Sequence, residues 1–405
     1  MWRSGSRRRC WPGWRLKVDL SAECSVECSA NRSAEVQVIK RVVIGLLALV
    51  AVLVAAVAVN TLRQGSRQVE VAPLALITVD ERAAGESLAV AVRAKTISSP
   101  TDAALSADQF EALHAHLQAR YPALHATLRR EVVAGLSLLY TWPGSDPAAK
   151  PILLMAHQDV VPVAPGTEQD WQSEPFAGTI KGGFVWGRGA WDDKANLISQ
   201  MEAIEMLVAS GFKPKRTVYL AFGADEEVGG LRGAKATAKL LADRNVKLDF
   251  VIDEGLLITE GVLPGLKAPA AIVGIAEKGY MSVALSVSAT PGHSSMPPPK
   301  GTSAIAMMSV ALNRLEDKQF PSRIQGVARD MFETVAPEMS GFGRVALSNL
   351  WLFGPVVRKQ LEAGASTNAM LHTTPALTIV NAGNKENVLP GRADATVNFR
   401  LLPGD

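Results

Sequence analysis

Apolar positions are distributed in three different ways along the 405 residues of the chain. From Val42 to Val59 no charged residue interrupts an apolar run, which as a helix would measure about 27 Å, close to the thickness of a membrane's hydrocarbon core. Apolar residues then recur at helical spacing, which predicts helices over Glu86–Lys95 and Ala107–Arg130. Beyond residue 136, short apolar runs alternate with helical patterns. That alternation predicts an α/β fold with a mostly parallel sheet covered by helices.

The alternating pattern predicts the following elements. The first set of strands is Leu136–Trp142, Pro151–Ala156, Thr217–Phe222 and Leu248–Ile252, with helices over Lys194–Ala209 and Leu231–Asp243. The later set is a strand over Gly279–Ser288, a helix over Ser303–Leu315 and strands over Ala376–Asn381 and Ala393–Leu402. We therefore expect a tail over 1–41, an apolar segment over 42–59, a linker over 60–80, and two domains over 81–278 and 279–405.

The apolar run allows three interpretations. It could be a buried core helix, a signal peptide cleaved near Ala56-Val57-Ala58, or an uncleaved transmembrane anchor. Lys40 and Arg41 stand directly before it, and basic residues beside a span stay on the cytoplasmic side. The sequence thus favours an anchor, with the body outside the cytoplasm or exported.

Charge and cysteine content exclude several classes of protein. The net charge is +3, but residues 1–41 hold nine basic and four acidic residues, which leaves 33 basic and 35 acidic residues elsewhere. The body is therefore not a basic nucleic-acid binder. Cys10, Cys24 and Cys28 all lie in the tail, so the body can form neither a disulfide nor a thiolate metal site.

Side chains that bind metals follow three of the predicted strands and precede one helix. These residues are His157, Asp159, Asp192, Glu226, Glu227 and Asp253. Ligand sites of α/β sheets form at the carboxyl ends of the strands, so one histidine and several carboxylates should meet there. That set suits a hydrolytic site for zinc, with manganese or cobalt as alternatives. Each motif alone has a structural explanation: a strand-end histidine, an acidic turn, or a helix cap at Asp193.

A longer ordered set of motifs resembles a known enzyme family. The motifs are His157-Gln158-Asp159, Trp186-Gly187-Arg188-Gly189-Ala190, Asp192-Asp193-Lys194, Asp225-Glu226-Glu227-Val228-Gly229-Gly230 and Asp253-Glu254-Gly255. They resemble the di-zinc metallohydrolases that include aminoacylases, glutamate carboxypeptidases and Gly-X carboxypeptidases (carboxypeptidase S). The similarity is greatest to the branch of carboxypeptidase S and N-fatty-acyl-amino-acid hydrolases, and it runs from about residue 81 to the end.

The resemblance implies a role for each metal-site residue. His157 and Asp253 would bind the first zinc, Glu227 the second, and Asp192 would bridge both, with a cis peptide bond after it. Glu226 would be the general base. Asp159 would orient the imidazole of His157.

The resemblance also implies an inserted α+β lid domain. His293 would help to hold the oxyanion, in many relatives across a homodimer interface, and Asn387 and Arg400 would contact substrate. The family's last metal ligand is a histidine beyond the lid. No residue here matches it, so we expect that the chain ends within the lid and that this histidine lies beyond Asp405.

The function expected from these observations is a zinc-dependent metallopeptidase or amidohydrolase. It would cleave an amide bond next to a free carboxylate, in a short peptide or an N-acyl amino acid, with a metal-activated water and Glu226 as base. The alternative is a non-catalytic, membrane-anchored binding or dimerisation protein that keeps the fold. Outside the motifs, His114 and His116 stand at positions i and i+2 of a helix and point to different faces, so we do not expect them to share a metal. Both are expected to be solvated.

Overall fold

The computed structural model describes residues 23–261 and 265–405, with side chains from residue 36 onward. The side chains of the predicted tail's three cysteines lie outside the described residues. The chain divides into two compact units, one of residues 71–256 and one formed by the described part of residues 1–70 together with Leu257–Asp405. The names catalytic domain and lid for these parts of the chain stay predictions.

Helix α1, Glu23–Arg63, contains the apolar run. Within the described residues, its portion Val36–Arg63 is the one helix that is long and apolar enough to cross a membrane. None of its most apolar window is buried in the protein. The interpretation as a buried core helix is therefore wrong, and the interpretations as a signal peptide and as an anchor stay predictions.

The unit of residues 71–256 contains five helices and seven strands. The helices are α2 Glu81–Arg93, α3 Ala107–Arg120, α4 Pro122–Thr127, α5 Lys194–Ala209 and α6 Ala234–Asp243. The strands are β1 Arg129–Val133, β2 Ser137–Trp142, β3 Ile152–His157, β4 Thr179–Lys181, β5 Phe184–Trp186, β6 Val218–Gly223 and β7 Val251–Ile252.

The main sheet of this unit is mixed rather than mostly parallel. Its strand order is β1-β2-β6-β3-β7; β3 pairs in parallel with β6 and β7, while β1 with β2 and β2 with β6 are antiparallel. The prediction was wrong on this side of the sheet because β1 and β2 form a hairpin. A short loop joins them, and Ala134 and Gly135 adopt positive φ angles there.

Helices cover both faces of the sheet, as the alternation of elements predicted. On one face α2 to α5 bury the side chains of β2 and β6 that point toward them, including Leu138, Tyr140 and Phe222. On the other face Leu139 and Leu153 pack with Leu241 of α6. Helix α5 buries Leu197, Ile198, Met201 and Ile204, because apolar residues at spacings of three and four share one helix face.

The predicted helix Ala107–Arg130 is wrong beyond Arg120. The helix stops there and restarts at Pro122, whose ring disfavours a helical conformation at the preceding residue. Tyr121 accordingly has a non-helical conformation. The chain then enters strand β1, so the last residues of the predicted helix belong to the sheet.

Strand β7 is shorter and more exposed than predicted. It contains only Val251 and Ile252, and both side chains are about half exposed. It pairs on one side only, with β3, and forms the edge of the described sheet. A run of apolar residues therefore predicted the strand correctly but not its burial.

The second unit contains α1 and the remaining elements. The strands are β8 Ile258–Thr259, β9 Ala270–Ala271, β10 Gly279–Ser288, β11 Gly292–His293, β12 Thr374–Ala382, β13 Val388–Leu389 and β14 Arg392–Leu401. The helices are α7 Ala304–Asp317, α8 Gly326–Val335, α9 Gly341–Ser348, α10 Leu350–Glu362 and α11 Ala365–Ala369. Strands β10, β14 and β12 form an antiparallel sheet, and α7 packs on it through Ala304 and Met308.

Candidate metal centre

Three strand ends place the candidate residues at one edge of the sheet. Strand β3 ends at His157, β6 leads within three residues to Glu226, and β7 is followed by Asp253 and Glu254. Because β6, β3 and β7 run parallel and adjacent, their carboxyl ends share this edge. The convergence predicted from the sequence is thus present in the fold.

The imidazole of His157 is the centre of a cluster of carboxylates. Its Nε2 lies 2.9 Å from Oδ1 of Asp192, 3.3 Å from Oε1 of Glu254 and 3.9 Å from Oε2 of Glu226. The imidazole is almost fully buried, whereas the side chains of Asp192 and Glu226 are more than half exposed. The cluster therefore has a rigid inner side and an open outer side.

Asp159 holds the opposite nitrogen of the imidazole and the loop that carries Glu226. Nδ1 of His157 lies 3.0 Å from the backbone oxygen of Asp159 and 3.3 Å from its Oδ1, and the carboxylate accepts the backbone N–H groups of Glu226 and Glu227 at 3.1 Å. Ser98 Oγ donates to it at 2.7 Å. Burial opposes ionisation of Asp159, but these hydrogen bonds lower its pKa and keep it anionic.

The peptide bond between Asp192 and Asp193 is cis, as the resemblance implied. Asp193 stands at the N-cap position of α5, but its side chain does not cap the helix. Instead its Oδ2 accepts the backbone N–H of His157 at 3.1 Å. The interpretation of Asp193 as a helix cap is therefore wrong, since its carboxylate supports the histidine. Burial, and next the charge of Glu254, raise the pKa of Asp193 to about 7.

Burial and neighbouring groups shift the pKa values of His157 and of the glutamates around it. Burial alone would lower the pKa of His157, but hydrogen bonds with Asp159 and Glu254 raise it to about 12. Burial also raises the pKa of Glu226, and burial followed by the charge of Asp192 raises that of Glu227. The site thus holds more negative charge than one imidazolium could balance, and it favours an added cation.

The donor set fits a divalent metal. One ligand atom from each of His157, Asp192 and Glu254 lies within 4.8 Å of the other two. Zinc binds imidazole nitrogen and carboxylate oxygen, catalytic zinc typically has three protein ligands, and an imidazole oriented from behind by a carboxylate is typical of zinc centres. These three residues could hold the ion, and Asp159 would orient the histidine.

The residue after β7 that joins this cluster is Glu254, which sequence analysis did not select. The sequence prediction assigned the role to its neighbour Asp253, and that assignment stays a prediction. Adjacent residues at a strand end point in different directions, so the acidic pair identifies the position only to within one residue.

Glycines shape the loop between β5 and Asp192. A Cβ on Gly189 would lie 2.4 Å from Val160 Cγ1, and one on Gly187 would lie 2.4 Å from Val92 Cγ1, closer than atoms can approach. Gly189 also has a positive φ angle. The G-x-G motif is therefore a tight turn packed against Val92 of α2 and against Val160, and the chain continues from it to Asp192.

Lys194, next in the same motif, is fully buried. Its Nζ donates to the carbonyl oxygens of Ala91 and Ala94 at 2.9 and 2.6 Å, which fastens the start of α5 to the end of α2. Burial lowers its pKa to about 7.

The predicted lid residues belong to the other unit, which is described by itself. His293 lies in β11, which pairs with β13, and its Nδ1 is 2.8 Å from Ser295 Oγ. The backbone oxygen of Asn387 accepts the N–H of Ser294. The guanidinium of Arg400 lies 4.8 Å from the ring centre of Tyr280. The substrate roles of His293, Asn387 and Arg400 stay predictions.

The expectation that His114 and His116 are solvated is wrong. Nε2 of His114 lies 2.7 Å from Oε1 of Gln158, and Nε2 of His116 lies 3.1 Å from Oγ of Ser87. Burial lowers the pKa of both histidines. Helical spacing correctly separated them, but it could not show that each face packs against another element.

Comparison with known proteins defines the class of protein to which this fold and site belong. Residues 153–385 match the peptidase family M20/M25/M40. A probable carboxypeptidase S-like 2 protein of Dictyostelium discoideum is 39% identical, over 91% of this chain and 70% of its own length. The N-fatty-acyl-amino acid synthase/hydrolase PM20D1 of Mus musculus is 44% identical, over 69% of this chain and 55% of its own length.

Solved structures agree on the fold. The M20 family metallo-carboxypeptidase Sso-CP2 from Sulfolobus solfataricus has a TM-score of 0.54 at 20% identity, over 81% of this chain and 72% of its own. Human carnosine dipeptidase 1 has a TM-score of 0.52 at 15% identity, over 80% and 70% of the two chains. The chain belongs to the peptidase family M20/M25/M40, and the predicted resemblance is confirmed. It spans little more than half the length of several curated relatives.

Proposed function

We propose that the protein is a metal-dependent hydrolase that cleaves an amide bond next to a free carboxylate. The observation that carries this proposal is the cluster of His157, Asp192 and Glu254, with Glu226 beside it on the open side. Relatives named as carboxypeptidases and as N-fatty-acyl-amino acid hydrolases support the same reaction class. None of the relatives reported above is named as a non-catalytic protein.

The chemistry assigns different tasks to the residues of the cluster. A divalent cation, when bound, polarises a substrate carbonyl and lowers the pKa of a water molecule. Glu226 accepts the proton of the attacking water and passes it to the leaving amine nitrogen. Its raised pKa, caused by burial, brings the carboxylate closer to the range in which it can both accept and release a proton. Asp159 keeps the imidazole of His157 oriented toward the cation.

The ions we propose are two Zn²⁺ per complete site, with Co²⁺ or Mn²⁺ as substitutes. His157 and Glu254, or Asp253, would hold the first ion. Glu227 would hold the second, and Asp192 would bridge the two. The raised pKa of Glu227, caused by burial and by the charge of Asp192, supports a cation between these carboxylates.

The substrate we propose is a short peptide or an N-acyl amino acid. The strands around His293 and the basic residue Arg400 would form a lid that contacts the substrate together with Asn387. A homodimer through this lid is part of the proposal. Arg400 suits a carboxylate ligand because a guanidinium binds carboxylates with two parallel hydrogen bonds.

We also propose that α1 anchors the protein in a membrane, with the body outside the cytoplasm or exported. The exposed apolar surface of α1 and the basic pair Lys40 and Arg41 before it support this topology. Protease added to intact cells should digest the body, whereas digestion only after lysis would reverse the orientation.

The catalytic proposal is tested by Glu226→Gln. We expect turnover of dipeptides or N-acyl amino acids to fall by about 10²–10⁴-fold, because a general base contributes that much. Bound zinc, measured by elemental analysis, should stay at the wild-type level, since Glu226 would not be a ligand.

Two matched variants make the result specific. Glu168→Gln changes an exposed glutamate outside the cluster and should leave turnover and zinc unchanged. If Glu226→Gln loses zinc while Glu227→Gln keeps it, the roles within the pair are reversed.

A further inference from the structure

The end of α1 is fastened to the junction between α9 and α10. Val57, Asn60 and Thr61 of α1, together with Gln64 directly after it, form the contact face. Asn60 Nδ2 and Gln64 Nε2 donate to the carbonyl oxygen of Ser348 at 2.6 and 3.1 Å. Residues three and four positions apart share one face of a helix, so this is a continuous side-by-side contact.

Asn349 is the centre of this contact, and its side chain is fully buried. Its Nδ2 donates to Thr61 Oγ1 at 2.9 Å and to the carbonyl oxygen of Val345 at 2.8 Å. Its Oδ1 accepts from Asn60 Nδ2 at 3.1 Å and from Trp351 Nε1 at 3.2 Å. A fully satisfied buried amide holds its neighbours in one arrangement, so α9 and α10 are fixed to the end of α1.

The contact lies directly after the apolar run of α1. That run ends at Val59, and Asn60 is the first polar residue beyond it. If the run crosses the hydrocarbon core, then Asn60 to Gln64 lie at the level of the lipid headgroups. Helices α9 and α10, which are attached there, must lie at the same level.

The surface of these two helices suits that position. Phe342, Trp351 and Val356 are each about 60% exposed. The indole of Trp351 uses its N–H toward Asn349 and exposes its ring, and tryptophan with one polar and one apolar end is enriched at membrane interfaces.

The basic residues of α9 and α10 also suit a position at the membrane surface. Helices α9 and α10 contain Arg344, Arg358 and Lys359 and a single acidic residue, Glu362 at the end of α10, whose carboxylate lies 3.5 Å from Arg358 Nε. Helices that lie on membranes combine aromatic and aliphatic residues with basic ones, because the basic side chains are attracted to anionic headgroups.

We propose that α9 and α10 form a docking surface for the lipid headgroup layer beside the membrane anchor, a proposal that rests on the anchoring of α1 proposed above. The occupant is the bilayer that α1 crosses. The apolar side chains enter the boundary between headgroups and acyl chains, and the basic side chains face the headgroups. The body is thereby held against the membrane by two elements rather than by a single tether.

The test is lipid-dependent quenching of a fluorescent label on the full chain. The three natural cysteines are replaced by serine, and one cysteine is introduced at a time and labelled with an environment-sensitive dye. The protein is placed in vesicles of phosphatidylcholine and phosphatidylserine that carry a quencher just below the headgroups. The test positions are Phe342→Cys and Val356→Cys.

Two control positions have similar exposure. Val52→Cys on α1 is 67% exposed and reports the anchor, and Val380→Cys on β12 is 56% exposed and reports an apolar surface of the same unit away from α9 and α10 in sequence. We expect the emission of labels at 342, 356 and 52 to be lost and that at 380 to be retained.

Three other outcomes would overturn the proposal in distinguishable ways. Quenching at 52, with labels at 342 and 356 no more quenched than the label at 380, leaves the anchor intact and removes the docking surface. A blue shift at 342 without quenching indicates cover by protein, such as a second copy of the chain. No quenching at 52 removes the anchor and the docking surface together.

A charge reversal gives a second readout. In Arg358→Glu with Lys359→Glu, quenching at 356 should fall while quenching at 52 stays constant. Both side chains are exposed, so the fold should tolerate the change. Unchanged quenching at 356 would contradict contact of this basic pair with anionic lipid.

Discussion

Two polar centres, each built around a buried side chain and one in each unit, differ in how their charges are balanced. Around His157 several carboxylates approach a single imidazole, and the pKa values of Glu226 and Glu227 are raised. Around Asn349 all partners are neutral amides, hydroxyls, indole or backbone groups, and both polar atoms of its side chain are bonded.

The difference in charge balance indicates that the cluster around His157 is a binding site and that the contact around Asn349 is a structural connection. Carboxylates held close together without sufficient counter-charge repel one another, so a cluster that keeps them is suited to a cation. A buried amide with every hydrogen bond satisfied requires nothing further, and it fixes the position of the groups around it. The following variants test this contrast, from the largest expected effect to the smallest.

Asp159→Asn should weaken metal binding most. Asn can still accept hydrogen bonds but lacks the negative charge that favours the Nδ1–H form of His157. Loss of such a partner typically lowers metal affinity by about 10–100-fold. Affinity is measured by competition with a chromophoric chelator.

Asp243→Asn serves as the control, because this carboxylate pairs only with Lys239 in the described contacts and lies outside the cluster. Equal affinities of Asp159→Asn and wild-type protein would show that Asp159 does not act through the imidazole.

Asn349→Ala should loosen the connection between α1 and α9 without changing metal affinity. The substitution removes the partner of Trp351 Nε1 and one of the two hydrogen bonds made by Asn60 Nδ2 and by Thr61 Oγ1, and an unsatisfied buried group costs about 1 kcal/mol or more. Amide hydrogen exchange in detergent micelles should therefore accelerate in α9 and at the end of α1.

The matched control is Asn313→Ala, which removes an exposed bond to Asp317 on α7. If Asn349→Ala reduces metal affinity as strongly as Asp159→Asn does, then the two centres are not independent and the contrast between them fails.

Glu131→Gln should have the smallest effect. Glu131 on β1 binds Arg244 after α6 through two hydrogen bonds of 2.9 and 2.7 Å, and Arg129 also contacts it. Exposed ion pairs contribute at most about 1 kcal/mol to the free energy of unfolding. Urea unfolding measures the loss.

The pH dependence of this loss has a defined sign. The hydrogen bond with Arg244 lowers the pKa of Glu131 in the folded chain. The pair therefore stabilises the protein above the pKa of the unfolded state, and the stabilisation disappears as pH falls through the folded pKa. A difference between Glu131→Gln and wild type that grows in acid would contradict this account.

The sequence predicted helices and strands best where the spacing of nearby residues alone determines the element. The period of apolar residues located α5 and its buried stripe, and the alternation of strands and helices placed His157 and Glu226 at one sheet edge. The prediction of a single helix over Ala107–Arg130 did not use one local signal, Pro122, before which α3 ends. The antiparallel pairing of β2 with β6 had no comparable local signal, because it joins strands far apart in sequence.

At the candidate metal centre, the order of residues in the sequence did not suffice to assign every side chain. The acidic pair after β7 was predicted, but which of Asp253 and Glu254 approaches His157 depends on backbone dihedral angles at the strand end. The role of Asp193 was also missed, because a carboxylate at the N-cap position, directly before a helix, usually caps it. Asn349 was not predicted at all, since nothing in its neighbouring residues indicates contact with a helix almost 290 positions earlier.

By itself the sequence determined the family, the chemistry of the cluster and the apolar run of α1, because each depends on residue type and on short-range spacing. Only the tertiary structure decided which carboxylate faces the imidazole, how the sheet mixes parallel and antiparallel strands, and where the end of α1 is held. These features depend on contacts between distant segments, and their energies come from the burial and hydrogen bonding of groups that adjoin only in the folded chain.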